Sequence, residues 1–444
     1  MRPARKRITR LDRLEVGRFN LALVTSVVVV LAVLAIVIVV KTGSPGTDQP
    51  STVPGAPPPG IASPSTFCDI TPANDVLAIE GAISGCADGS SIRFPPGATY
   101  VLNDSIFVRD RHDLVIDGRG STFKITVDGQ TKPSINRIAP GYDEKSKNGG
   151  NWVLLRGTNI TLKNMKAIGS FPLALNGEAR DIVKENRPEY VADEDGDGQI
   201  RYTESMSNFG VYGTDGAHLE DLSGFAPWGD TITTATDRYM DNFFNEHGGV
   251  PGEGNYSKNV FAKRVSAEGT SRMCFGLTSG INMWVEESSC KSAWYGATDQ
   301  EIDNAKQPLE GVHFVRNTFD EFNLFGYLLP VAGPRVKDIS ILGNVFKTPP
   351  DTRCNPTIGM GGYKENTENI KDVRIENNTM VVHGTAISLD SIAGGTVKDN
   401  KILIAPGEPS CNTAAGAAPL VTVSARSTGV VLENNGPDAP GATP

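Results

Sequence analysis

Six segments of this chain carry one short pattern, and it restricts the available folds more than any other feature. In the C-terminal half the pattern reads apolar-x-apolar-x-x-Asn. It occurs as Val312, Phe314 and Asn317; Ile339, Ile341 and Asn344; Val373, Ile375 and Asn378; and Val430, Leu432 and Asn435. Gly395, Val397 and Asn400 keep the spacing with glycine in the first place, and Met283, Val285 and Ser288 keep it with serine in the last. The units recur roughly every 22–35 residues, the range of stacked repeats. Each is a period-2 strand ended by a turn residue. Such a strand cannot bury its inward face alone, but coil on coil it can. The pattern therefore predicts one all-β solenoid, although 444 residues would by length suit two or three domains.

Residues 21–40 are uncharged and almost wholly apolar. As a helix they would span about 30 Å, one hydrocarbon core. Arg2, Arg5, Lys6, Arg7, Arg10, Arg13 and Arg18 precede them, whereas Lys41 is the only base between them and Arg93. The positive-inside rule then expects a single-pass anchor in the cell membrane, with residues 1–20 cytoplasmic and the rest extracellular. A cleaved signal peptide is the alternative. Its apolar core usually runs about 7–15 residues before an Ala-x-Ala site, and no such site follows Val40. Residues 41–65 are rich in Pro, Gly, Ser and Thr and read as a tether.

The folded domain is expected over residues 66–436, with a loose tail at 437–444. Segments 91–102, 113–125 and 152–165 read as early coils. Insertions near 176–207 and 237–257 interrupt the stack, and in solenoids insertions project from one face. The net charge of -9 argues against a nucleic-acid partner. All six cysteines follow the apolar segment, where an even count reads as disulfides. Proximity favours Cys68–Cys86, Cys274–Cys290 and Cys354–Cys411, among 15 possible connectivities.

On the units around Asn317, Asn344, Asn378 and Asn435, the chain resembles the right-handed parallel β-helix superfamily, the pectate-lyase-like group, over roughly residues 91–435. The resemblance implies about ten coils with the asparagines in one column. Asparagine tolerates left-handed backbone and its amide can bond along the stack. Met165, Leu222 and Val265 hold that column in earlier coils, so the ladder is partial. A leucine-rich horseshoe is the structural alternative, but its signature is missing.

Two constellations could carry chemistry. Asp193, Asp195, Asp197, Gly198, Gln199 and Glu204 fit D-x-D-x-D-G-x5-E, an all-oxygen Ca²⁺ loop. The role expected of the ion is to order the first insertion; an acidic surface turn is the alternative. The second constellation places Trp228 and Asp230, then Arg272, then Trp294, Tyr295, Asp299 and Glu301 on consecutive coils. Neighbouring coils lie about 4.8 Å apart, so these residues could line one groove. The expected roles are catalytic for Asp230, Arg272, Asp299 and Glu301, and sugar stacking for Trp228, Trp294 and Tyr295. The bland reading is a salt-bridge cluster stitching coils together. Glu204 could belong to either constellation.

Polygalacturonase-like hydrolases carry Asn-Thr-Asp, Asp-Asp, Gly-His-Gly and Arg-Ile-Lys motifs. Gly213-Thr214-Asp215-Gly216 is the nearest echo of the first, and the others are missing, as is the pectate-lyase Arg-x-Pro-x-x-Arg. His218 and His313 fall in strands and read as structural, while His247, in the second insertion, is a weak acid–base candidate. The expectation is a β-helix that acts on or binds polysaccharide, as a lyase, epimerase or hydrolase. The alternative is a non-catalytic surface module for a glycan or a protein.

Overall fold

The computed structural model describes residues 66–126, 149–171, 192–193, 200–201, 206–237, 255–293, 296–300, 307–320, 325–331, 335–347, 356–362, 370–405 and 419–441. All belong to one compact unit of the chain, Gly55–Pro444. They form a parallel β-helix, as the resemblance implies. Strand pairs within its two large sheets are parallel and join residues of successive coils. Parallel crossovers of this kind are right-handed as a rule.

Each coil contributes two strips to a 19-stranded sheet and one strand to a ten-stranded sheet. In the later coils the strips are separate strands, as in Val336–Leu342 and Val345–Lys347. In three earlier coils one strand runs through the corner: His112–Ile125, Thr158–Ile168 and Asp215–Phe225. The short sheet includes Gly149–Leu155, Met206–Tyr212, Ile232–Ala235, Met273–Leu277 and Gly296–Asp299.

The period-2 pattern puts every second residue inside. Leu162, Leu219, Ala262, Val285, Phe314, Ile341, Ile375 and Val397 are partners in successive coils and form one inward row. All are buried in the same core cluster. Rings fill its wide parts, with Phe319 stacked on Phe346 at 5.0 Å.

The asparagine column is a continuous ladder. Asn317 N–H donates to Asn344 Oδ1 (2.8 Å), Asn344 N–H to Asn378 Oδ1 (2.9 Å), and Asn378 N–H to Asn400 Oδ1 (3.1 Å). Asn400 N–H reaches Asn435 Oδ1 at 3.3 Å. Ser288 extends the ladder downward, accepting from Val265 N–H at 3.0 Å. Met165 and Leu222 are register partners in the same column, and the ladder is partial for that reason.

A second column was not anticipated. Asp113, Asn159, Asn259, Asn282, Asp338 and Asp372 all have φ of 51–58°, and Gly216, Gly311, Gly394 and Gly429 continue the column at positive φ. Only residues that tolerate left-handed backbone recur there. The helix Val76–Gly85 was also unforeseen. Asp75 caps it by accepting from Leu77 N–H at 2.7 Å. Val76, Ile79 and Ile83 pack on the core and cover the end of the stack, where an open solenoid would expose apolar surface.

Cys68–Cys86 and Cys274–Cys290 are bonded. Cys354 and Cys411 lie outside the described residues, as do residues 1–65 with the expected anchor. Among the described residues no helix is long and apolar enough to cross a membrane. Part of the expected loose tail is ordered: Ala439 is buried, and Gly441 N–H donates to Asp399 O. The second insertion starts from a closed base, where Asn255 donates to both carboxylate oxygens of Asp237 at 2.8 and 3.0 Å.

Candidate functional site

Of the second constellation, coil stacking brings Asp230 and Arg272 together on the outer face of the short sheet. Asp230 stands two residues before Ile232–Ala235 and Arg272 immediately before Met273–Leu277, so both lie at strand openings. The two segments are laced by backbone bonds, from Arg272 N–H to Gly229 O (3.3 Å) and from Thr231 N–H to Met273 O (3.2 Å). Asp299 instead ends its strand and pairs with Gly276. Backbone equivalence therefore fails for Asp299.

The Asp230 side chain closes that gap by leaning forward over the next coil. A Cβ added to Gly276 would collide with its Oδ2. Gly276 lies between Thr233 and Asp299 in the pairing register. The Asp230 carboxylate thus lies over the register position next to Asp299.

Asp230 is 1% exposed. Its Oδ1 accepts from Met273 N–H at 3.0 Å and its Oδ2 from Thr233 Oγ1 at 3.1 Å. Arg272 Nη1 stands 3.7 Å from Oδ2. Ser207 Oγ and Thr233 Oγ1 share a hydrogen bond, so a Ser207–Thr233–Asp230 chain is buried beneath this face. Gln300, adjoining Asp299 in sequence, is 1% exposed, and neither atom of its amide finds a partner among the described residues. Buried amides are seldom left so.

Trp228 is not an open sugar platform. Its indole is fully buried against Phe171, Met206 and Ala226 and donates to Ser170 Oγ at 3.0 Å. A residue beside a strand opening can turn under the coil as readily as over it, and the apolar neighbours draw this ring inward. Trp294, Tyr295, Glu301 and His247 lie outside the described residues, as does the side chain of Asp299. The sequence reading missed Ser207, Thr233 and Gly276. One signal was available: glycine inside the apolar run Phe275-Gly276-Leu277, which in a strand often marks close approach of another group.

Of the calcium loop, Asp193 is described only in backbone. It pairs with Ile200 in a two-stranded antiparallel ladder, Ala192–Asp193 with Ile200–Arg201. Asp195, Asp197, Gln199 and Glu204 lie outside the described residues.

His218 and His313 sit in the long sheet on its outer face, yet both are buried. His313 stacks on Trp284 with centroids 4.2 Å apart. Burial, assisted by the Arg374 charge, lowers its pKa to about 4. Burial also lowers that of His218, against the pull of Glu220.

No family model and no curated protein matches the sequence. Solved structures bear a distant likeness to the chain. The family 28 exopolygalacturonase of Yersinia enterocolitica is 10% identical, with a TM-score of 0.42 over 86% of this chain and 79% of that one. The endo-xylogalacturonan hydrolase of Aspergillus tubingensis is 11% identical, with a TM-score of 0.45 over 84% and 94%. The Streptococcus pneumoniae surface protein and adhesin PfbA is 11% identical, with a TM-score of 0.35 over 82% and 98%. These likenesses concern the path of the chain alone. The β-helix expectation is borne out by the parallel coils of the chain itself.

Proposed function

We propose that this chain is a membrane-anchored, extracellular β-helix that cleaves a polysaccharide, with Asp230 and Asp299 as its carboxylate pair. One observation carries the reading: Asp230 reaches over Gly276 into the row where Asp299 stands, with Arg272 at its side. Glycoside hydrolysis needs two carboxylates flanking one bond. Arg272 would hold the Asp230 carboxylate or an anionic sugar in place. Trp294 and Tyr295 before Asp299, and Glu301 after it, lie in the same stretch of sequence and would extend the subsite. A lyase or epimerase route would instead use Arg272 or another base to take a sugar C5 proton.

Residues 21–40 would anchor the chain with residues 1–20 inside the cell. Asp193, Asp195, Asp197, Gln199 and Glu204 would hold Ca²⁺ through oxygen ligands and order the first insertion.

A second reading has its own support. Asp230 is nearly inaccessible and accepts from a backbone N–H and a hydroxyl, with Arg272 close by. That suits a carboxylate stitching coils together in a binding module. The test screens the chain against acidic and neutral polysaccharides with and without Ca²⁺. Reducing ends and absorbance of unsaturated uronate are read together. Reducing ends alone, abolished by Asp230→Asn, support the hydrolase. Unsaturated product replaces it with a lyase. Silence in both, with glycan retained, replaces it with the binding module.

A further inference from the structure

The ladderless corner of the long sheet has a second feature, on a sheet other than the one beside Asp230. Between Asp117 and Ser121 the register of His112–Ile125 on Thr158–Ile168 slips. Gly118, Arg119 and Gly120 stand there against Asn164 alone. Among the described pairings this is the one such irregularity. A bulge of this kind re-aims a side chain, and bulges gather near functional sites. It is held in place: Arg119 N–H donates to Asp117 Oδ1 (2.9 Å), and Gly97 N–H donates to Arg119 O (3.1 Å). Gly120 takes φ of 81°, which a residue with a side chain rarely adopts.

The overhang borders a groove of about 540 Å³. That volume lies within the range of small-ligand sites, about 300–1,000 Å³. Arg119, Lys166, Asp221 and Arg264 supply its charges, with Met165 and Leu222 among its apolar lining. The carboxylate of Asp221 is occupied by Arg264 through two hydrogen bonds of 2.6 and 2.8 Å. Arg119 and Lys166 are exposed and have no ion-pair partner among the described residues. Alongside Arg93, Arg119 also acts at longer range on Asp69, whose pKa it helps to lower. In a chain of net charge -9, two cations on one groove with no carboxylate in contact form a local positive field.

We infer that this groove is an anion subsite that takes a carboxylate- or sulfate-bearing sugar residue of a glycan. The planar Arg119 fork matches either group bidentately, and Lys166 adds a point charge. The identity of the ligand as a sugar rests on the proposed function; the anion preference rests on the groove alone.

The test titrates the full-length chain, by calorimetry at low salt, with a galacturonate tetrasaccharide, a chondroitin sulfate tetrasaccharide and a neutral xylotetraose. At least one charged oligosaccharide should bind, more weakly as salt rises. Arg119→Ala with Lys166→Ala should weaken that binding tenfold or more and leave any xylotetraose binding unchanged. The stronger of the two charged ligands identifies the anion. Equal affinity in the double variant, or no charged ligand bound by the unsubstituted chain, overturns the subsite. Asp230-dependent cleavage of a neutral glycan alongside that failure would leave the proposed function standing.

Discussion

The Asp230 carboxylate fills the space where a side chain at position 276 would begin. Glycine at 276 is therefore a condition of the site rather than a feature of the strand. The strand Met273–Leu277 is otherwise made of larger residues, all buried.

Gly276→Ala should expel the carboxylate from its seat. Misplacement of a reacting group by about 1 Å can cost on the order of 100-fold in rate. A loss of at least that size is expected in the polysaccharide assay, with the fold retained by circular dichroism. Asp230→Asn is the sharper chemical probe, because it keeps the shape and an acceptor for Met273 N–H (3.0 Å). Asp230→Ala is a poor probe, because it orphans Met273 N–H and removes the carboxylate that stands 3.7 Å from Arg272 Nη1. That should cost roughly 1–3 kcal/mol whether or not the residue is catalytic.

Asn344 sits inside the ladder and serves both neighbours. Its Oδ1 accepts from Asn317 N–H and Nδ2, while its own Nδ2 donates to Phe314 O and Asn378 Oδ1. Leucine is tolerated in this column at Leu222, where no asparagine lies above or below. Asn344→Leu would strand the buried groups of Asn317 and Asn378. A loss of about 2–4 kcal/mol is expected from the unmet donors and acceptors, measured by urea unfolding. Little change would mean that the ladder fixes register without adding stability.

The ladder could be read from the sequence because one residue type performs one task at every step. The left-handed column could not, since Asp, Asn and Gly share it and only their common tolerance of positive φ unites them. The ladder asparagines are not left-handed themselves: positive φ falls on the residue before each, at Arg316, Gly343, Asn377, Asp399 and Asn434, so asparagine is kept there for its amide. The capping helix escaped for a similar reason: Val76, Ile79 and Ile83 have helical spacing, but within a run too short to stand out among strands. At the site, Asp230 and Arg272 were legible as charges on consecutive coils. The forward lean of Asp230 was not, because it depends on the missing side chain at 276. Trp228 shows the reverse failure, as an aromatic beside an acid reads the same whether it faces solvent or core.

The Cys274–Cys290 bond ties the strand beneath Asp230 to the ladder side of the next coil. Both sulfurs lie in the core, so no solvent-exposed chemistry is asked of them. It closes a loop with a sequence separation of 16, which chain-entropy arguments value at about 3 kcal/mol. Replacing both cysteines by alanine should lower stability by about that amount. It should also loosen the Met273 N–H that holds Asp230, so activity should fall at temperatures where the fold survives. Unchanged activity with lowered stability would limit the bond to a structural role.

His313 gives the fold a pH dependence whose sign follows from its burial. Its pKa falls from the ordinary 6.5 to about 4, first through desolvation and then through Arg374. The folded chain keeps the imidazole neutral where the unfolded chain would protonate it. Stability should therefore be full above about pH 6.5, decline as pH falls, and level off near pH 4. The difference amounts to about 3 kcal/mol. Asp338, whose Oδ2 stands 3.8 Å from His313 Nε2, would oppose this if it were ionised. Burial and the neighbouring Asp372 raise the Asp338 pKa, which weakens that opposition as pH falls. His313→Phe keeps a ring against Trp284 and removes the titrating group. Its unfolding free energy, followed from pH 7 to pH 4.5, should show a shallower slope than that of the unsubstituted chain. Equal slopes would assign the acid sensitivity to carboxylates elsewhere in the stack.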